Sequence, residues 1–212
     1  IILLAFKKTT ALVLLGLLCS CNSDAIGDCF QAAGDSVTMI VEVPPFLRVR
    51  SEGEATLLIK QGDVQQVSLT TAENLLTDVS VYVFDDTLIV RDTNACNFVR
   101  DYGLTVVTIT TPNLTHIRNS SNYDITSIGT LAFPELTLTS NTTSGPGGIV
   151  SLKKGGDFYL DVMCDAFNVR ANGQSVFYIS GAAITARVVL NDENPRFAVA
   201  YPHLTLPTIY SA

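Results

Sequence analysis

"GDFYLDVMCDAFNVRANG", residues 156–173, alternates apolar and polar side chains and then changes phase. Phe158, Leu160, Val162 and Cys164 fall on one face of an extended chain, and Tyr159, Asp161, Met163 and Asp165 fall on the other. Past Ala166 the apolar pair becomes Phe167 and Val169, so the alternation has slipped by one residue. In a strand such a slip exchanges the two faces. The chain must therefore bend or bulge near Asp165–Ala166 to keep both apolar sets on one core.

The same texture extends in both directions. From Ser36 onward short alternating runs follow one another ("SVTMIVEV", "FLRVR", "ATLLIKQ", "VQQVSLT", "VSVYVF", "TLIVRD"), broken by Pro44-Pro45 and by "EGE", "GD" and "DD" turns. Only "TAENLL" suits a helical turn, and no window sustains a period of 3.6. The chain is predicted to be all-β. After Pro112 the strands shorten and Asn, Ser, Thr and Gly fill the gaps. Leu114, Leu136, Phe158 and Phe177 open comparable units at separations of 22, 22 and 19 residues. One such unit cannot bury its own apolar face, whereas a stack of units does and sets like residues over one another. The expected fold is a β-solenoid, with an antiparallel β-sandwich as the alternative.

Composition narrows the function classes. The chain has 212 residues, 47% of them hydrophobic and 16% charged, which is ample for a core and excludes a disordered chain. Its formal net charge is −7, and setting aside the leader lysines Lys7 and Lys8 makes it more acidic. The sequence carries no local run of Lys and Arg, so no basic stripe is read from it and nucleic-acid binding is not expected.

The first residues look like an address. Lys7 and Lys8 precede an uncharged apolar stretch, residues 11–18, which is shorter than the roughly 20 residues a membrane-spanning helix needs. "LCSC", residues 18–21, resembles a bacterial lipobox, which implies cleavage before Cys21 and acylation of Cys21. Residues 1–21 are then a lipoprotein signal peptide, Cys19 leaves with it, and the membrane is a partner through the lipid anchor. Asp24 is compatible with sorting to an outer membrane. Residues 22–212 form one domain: N-terminal strands at 22–100, repeat units at 101–198, and a tail of different texture at 199–212.

Three cysteines remain. An exported chain meets an oxidising compartment, where disulfides persist. Cys29 near the start and Cys96 in the loop "RDTNACN" are a candidate disulfide, closing about 67 residues and worth a few kcal/mol. Cys164 lies in an alternating strand and reads as a small buried hydrophobe. Three free thiols are the alternative.

Several spaced segments are familiar as a set: "DCFQAAGD" after a lipobox, "IKQGDVQQVSLTTAENLL", "LIVRD" before a Cys-containing loop, "VTITTPNLTHIRNSS" and "GQSVFYISG". Together, over about residues 28–198, they resemble the head-GIN, or "putative auto-transporter adhesin", family of Bacteroidetes lipoproteins. The resemblance implies a right-handed parallel β-helix-like fold on the cell envelope, lipid-anchored at the outer membrane, with an adhesin function. It supplies no catalytic residue. "DSV" at 35–37 and "DTL" at 86–88 resemble the O-glycosylation motif of that bacterial group, which marks Ser36 and Thr87 as candidate modification sites.

No catalytic constellation emerges, and no metal or cofactor is assigned. Asp157, Asp161 and Asp165 recur every four residues, about 13 Å apart along a strand, too far for an acid–nucleophile pair. Asp85-Asp86 lacks the ligand spacing of a calcium loop. His116 and His203 have no partnered nucleophile motif. "SGPGG", residues 144–148, lacks the Lys and Ser/Thr of a phosphate loop. The sequons at Asn113, Asn119 and Asn141 read as accidental. Tyr159, Tyr178 and Tyr201, near Asn and Asp, are candidates for a sugar-binding strip. The expected function is a non-enzymatic envelope binding module whose long polar, acidic face meets a glycan or cell-surface partner. A polysaccharide-active β-helix enzyme and a periplasmic scaffold are the alternatives. Oligomeric state is not legible.

Overall fold

A computed structural model describes residues 29–94, 98–141, 155–172, 174–191 and 196–199. Among these described residues thirteen strands form one sheet. The stretch "TAENLL" supplies a 3-10 helix, Glu73–Asp78.

The bend required by the opening stretch is present. β11 (Phe158–Asn172) and β12 (Val176–Asn191) each run through a corner. They pair in parallel, with Cys164 opposite Ala183 and then Ala166 opposite Thr185, so Asp165 and Ile184 drop out of the ladder. The N–H groups of Asp165 and Ala166 both donate to the Pro134 carbonyl, at 2.9 and 3.0 Å. Burial changes phase there, Cys164 and Phe167 being buried on either side of exposed Asp165.

On each side of that corner the half-strands continue a column. The first column runs through β5 (Val79–Phe84), β6 (Thr87–Asp92), β2 (Arg48–Gly53), β8 (His116–Ser121) and β10 (Glu135–Asn141) into the second halves of β11 and β12. The second runs through β1 (Ser36–Ile40), β4 (Gln66–Ala72), β7 (Val106–Thr111), β3 (Thr56–Gln61) and β9 (Ile125–Leu131) into the first halves of β11 and β12, then β13 (Arg196–Val199). Pairing is parallel along both columns from β6 and β7 onward. It is antiparallel at β5–β6, β1–β4 and β4–β7. β11 belongs to both columns, so the sheet folds back on itself into a nearly closed, barrel-like form of mixed orientation. The pair β2–β3 lies between β6–β7 and β8–β9, out of sequence order.

The core fills the space between the columns. In the first, Leu88, Val49, Ile117, Leu138, Val169 and Val188 stand in register across six strands, all buried. In the second, Val107, Leu57, Ile125, Phe158 and Phe177 do the same. The Phe158 and Phe177 rings stack at 4.6 Å and 9°. Each such side chain taken from water contributes about 1.5–3 kcal/mol. This is the like-over-like stacking expected of repeated units. The repeat itself differs from the expected spacing of openers. Phe177 does lie over Phe158, but Leu136 pairs with Phe167, in the other column. Each unit holds two strands of identical alternation, so alternation alone does not distinguish its first strand from its second.

Turns close the units where the chain allows it. Asp85 and Asp86 hold φ of 47° and 53°, the two left-handed positions of a two-residue β5–β6 hairpin. Gly53 has φ +77°, and a Cβ there would lie 1.8 Å from the Asp92 carbonyl oxygen.

Candidate binding faces

The side chains that alternate with the core face outward, and strand register arranges them in rows. On the second column Tyr159 and Tyr178 are adjacent, their rings stacked at 4.7 Å and 7°, each 40% exposed. Tyr201, the third member of the expected strip, lies outside the described residues. Beside the pair, Asp161 accepts hydrogen bonds from the hydroxyls of Thr130 and of Ser180, the latter at 3.0 Å. Its own N–H donates to Ser127 Oγ at 2.9 Å.

The acids along these strands act as caps. Asp124 Oδ1 accepts the Asp157 N–H at 2.8 Å, and Asp157 Oδ1 accepts the Val176 N–H at 2.7 Å. Asp124, Asp157 and Val176 precede Ile125, Phe158 and Phe177, which stand in one core row. Each aspartate thus satisfies the first N–H of the next unit, a position the ladder leaves open. Burial pushes the Asp157 carboxyl above the usual range, and the Asp124 charge adds to it, while the Val176 N–H opposes the shift. Asp165 is exposed at the corner. Both Asp124 and Asp157 are engaged in structural hydrogen bonds, so their proximity has a non-catalytic explanation.

The outward face of the first column departs from the sequence reading. Arg48, Arg50, Arg91, Arg118, Arg170 and Arg187 all alternate with its core positions, so the fold assembles a basic face that no local run of residues announces. The expectation that the chain has no basic stripe, and presents an acidic face, is corrected here for this column. Register is the reason: each strand gives one or two arginines, and stacking adds them together. Glu52, fully buried, pairs with Arg50 Nε at 2.7 Å and Arg91 Nε at 2.6 Å. His116 Nε2 lies 2.8 Å from Thr139 Oγ1. Burial, then Arg118, Arg48 and Arg170 beside it, hold the His116 imidazole below its ordinary pKa.

The remaining predicted sites are dispersed. Ser36 is exposed on β1. Thr87 opens β6 half-buried, its hydroxyl donating to the Asp85 carbonyl at 3.1 Å. Cys29 is disulfide-bonded, while Cys96 and the lipidation candidate Cys21 lie outside the described residues. The Phe98 N–H donates to the Cys29 carbonyl at 3.0 Å, and the Phe30 and Phe98 rings approach to 5.6 Å. The free thiol of Cys164 is buried, and that burial pushes its pKa up to about 11. Asn119 is buried, its amide donating to the Tyr123 carbonyl at 3.0 Å and accepting the Ser121 N–H at 2.9 Å. His203 and "SGPGG" lie outside the described residues. Among those residues no three His, Cys, Asp or Glu side chains cluster as a metal site, and no helix is long and apolar enough to cross a membrane.

Residues 45–194 match the family described as "Putative auto-transporter adhesin, head GIN domain". Solved structures that share the fold include the following three. A "putative adhesin" from Bacteroides fragilis superposes with a TM-score of 0.60 at 19% identity, covering 78% of this chain and 74% of that one. A "putative adhesin" from Parabacteroides distasonis gives 0.56 at 15%, covering 84% and 78%. A "putative lipid binding protein" from Parabacteroides distasonis gives 0.54 at 13%, again covering 84% and 78%. No curated protein matches the chain.

Proposed function

This chain belongs to the head GIN domain family, whose description is "Putative auto-transporter adhesin", and we propose that it is a non-enzymatic, lipid-anchored binding module of the cell envelope. Acylated Cys21 tethers it to the outer membrane, and a right-handed parallel β-helix serves as a rigid platform for contact with a glycan or another cell-surface partner. The observation that carries this reading is the in-register stacking of units. It repeats outward side chains at one strand spacing, about 4.8 Å, across each column. Repeated weak contacts on a rigid body add as avidity, with no conformational step required. The capping roles of Asp124 and Asp157 favour this reading over a polysaccharide-cleaving enzyme. The Cys29 disulfide suits an exported chain, and Cys96 is the partner we propose for it.

The tether is tested by feeding host cells a clickable fatty acid and fractionating them. The wild-type chain is expected to carry the label and sediment with the outer membrane, while Cys21→Ser is unlabelled and soluble. An unlabelled, soluble wild-type chain would overturn the anchored reading.

A further inference from the structure

We infer that the outward face of the first column is a binding site for an extended acidic glycan, held by Arg48, Arg118, Arg170 and Arg187 with Thr137 and Asn168 between them. The inference deepens the binding-module reading and rests on it.

Geometry supplies the first argument. Arg48, His116, Thr137, Asn168 and Arg187 occupy consecutive positions of one row, across β2, β8, β10, β11 and β12. Four strand spacings separate its ends, about 19 Å. The next row reads Arg50, Arg118, Thr139, Arg170 and Val189. In register, Arg48 stands directly beside His116, Arg118 stands two residues on in the same strand, and Arg170 lies two strands away in the next row. The result is a two-row strip running across the strands, along the stacking axis.

Charge supplies the second. The chain is acidic overall, with a net charge of −7, yet these rows concentrate arginine. Among the described residues the carboxylates near them are Glu52, buried against Arg50 and Arg91, Asp85, 3.3 Å from Arg48, and exposed Glu135 at the rim. Arg170 and Arg187 are both exposed, and neither is in an ion pair among the described residues. Arginine presents a planar fork that fits a carboxylate or sulfate bidentately.

The residues between the cations select the polymer. Threonine hydroxyls and the Asn168 amide offer donors and acceptors for sugar hydroxyls. A single-stranded nucleic acid would call for aromatic platforms between the basic groups. From β2 to β12 these rows hold no Phe, Tyr or Trp, the His116 imidazole is half-buried against Thr139, and Tyr82 and Phe84 lie at the far β5 edge. A lipid surface would call for protruding apolar side chains, and Val189 is only half-buried at the end of its row. One ring of an extended sugar chain is close in length to a strand spacing, so successive acidic residues meet successive strands.

The test titrates the purified mature chain with oligogalacturonate, a sulfated oligosaccharide, methyl-esterified oligogalacturonate, single-stranded DNA of equal charge, and vesicles containing anionic lipid. Saturable binding to at least one acidic oligosaccharide is expected, with none to the esterified form and weakening as salt rises. The double variant Arg170→Gln/Arg187→Gln is expected to lose at least tenfold in affinity with its circular dichroism unchanged. Arg196→Gln, on the other column, is expected to bind as wild type. Absence of binding to both acidic oligosaccharides, unchanged affinity in the double variant, or tighter binding to DNA or vesicles would overturn the proposal. Surface exposure on cells without acidic-glycan binding would sink this site and leave the binding-module reading standing.

Discussion

Phe158 and Phe177 sit nineteen residues apart in the chain and face to face in the core, their rings 4.6 Å apart and 9° from parallel. Their neighbours Tyr159 and Tyr178 repeat the relationship on the outside at 4.7 Å. The two pairs differ in burial, which sets their energetic roles. Phe177→Ala is expected to destabilise by about 3–5 kcal/mol, because it removes a buried ring and leaves a cavity. Tyr178→Ala, 40% exposed, is expected to cost about 0.5–1.5 kcal/mol, the scale of the pair contact alone. Urea unfolding monitored by circular dichroism compares them, and equal losses would contradict the assignment of Phe177 to the core.

Gly181 faces a different constraint. Its φ is +109°, and a Cβ would lie 1.9 Å from the Val162 carbonyl oxygen on the neighbouring strand. Gly129 has φ +77° and nothing within 4 Å of that position. Gly129→Ala is therefore expected to cost about 1–2 kcal/mol, the left-handed penalty alone. Gly181→Ala adds a backbone clash and is expected to cost clearly more. Thermal melts of the two variants give the order, and the reverse order would refute the close approach at Gly181.

Glu52 is the buried anchor of the arginine face. Glu52→Ala leaves Arg50 and Arg91 without the carboxylate that both contact, and a loss of about 3–5 kcal/mol is expected. Chemical denaturation reads it. A change below about 1 kcal/mol would mean that the guanidiniums are solvated well enough without it.

His116 makes stability depend on pH. Its folded-state pKa lies below the ordinary 6.5, set by burial and by Arg118, Arg48 and Arg170 facing it, with Thr139 at its Nε2. The unfolded chain then takes up the proton first as pH falls. The stability from the neutral imidazole is present above about pH 6.5 and is lost as pH drops below it toward the folded value. His116→Gln is expected to flatten this part of the profile. An identical slope in both proteins between pH 7 and 5 would rule His116 out as its source.

Much of the fold is legible in the sequence. The phase slip between Cys164 and Phe167 requires the corner at Asp165, because one face cannot alternate through it. "TAENLL" stands out from the alternating runs, and its last four residues open the 3-10 helix while Thr71 and Ala72 end β4. Long-range order is not legible. β2 lies between β6 and β8, and strands of equal alternation carry no mark of which neighbour they take. The arginine face is hidden for the same reason, since Arg48, Arg118, Arg170 and Arg187 become neighbours only through register. The roles of the acids are hidden too. The four-residue spacing of Asp157 and Asp161 argues against an acid–nucleophile pair, but it does not show that they hold backbone N–H and hydroxyl groups of adjoining strands.

A binding module that meets a glycan or another cell-surface partner, as proposed above, has to face outward from the cell envelope. Proteinase K applied to intact cells of the native host, with lysed cells as the control, decides this orientation. The protein is expected to be lost from intact cells while a periplasmic marker survives. Survival in intact cells with loss only after lysis would contradict it and place the protein on the inner side of the outer membrane.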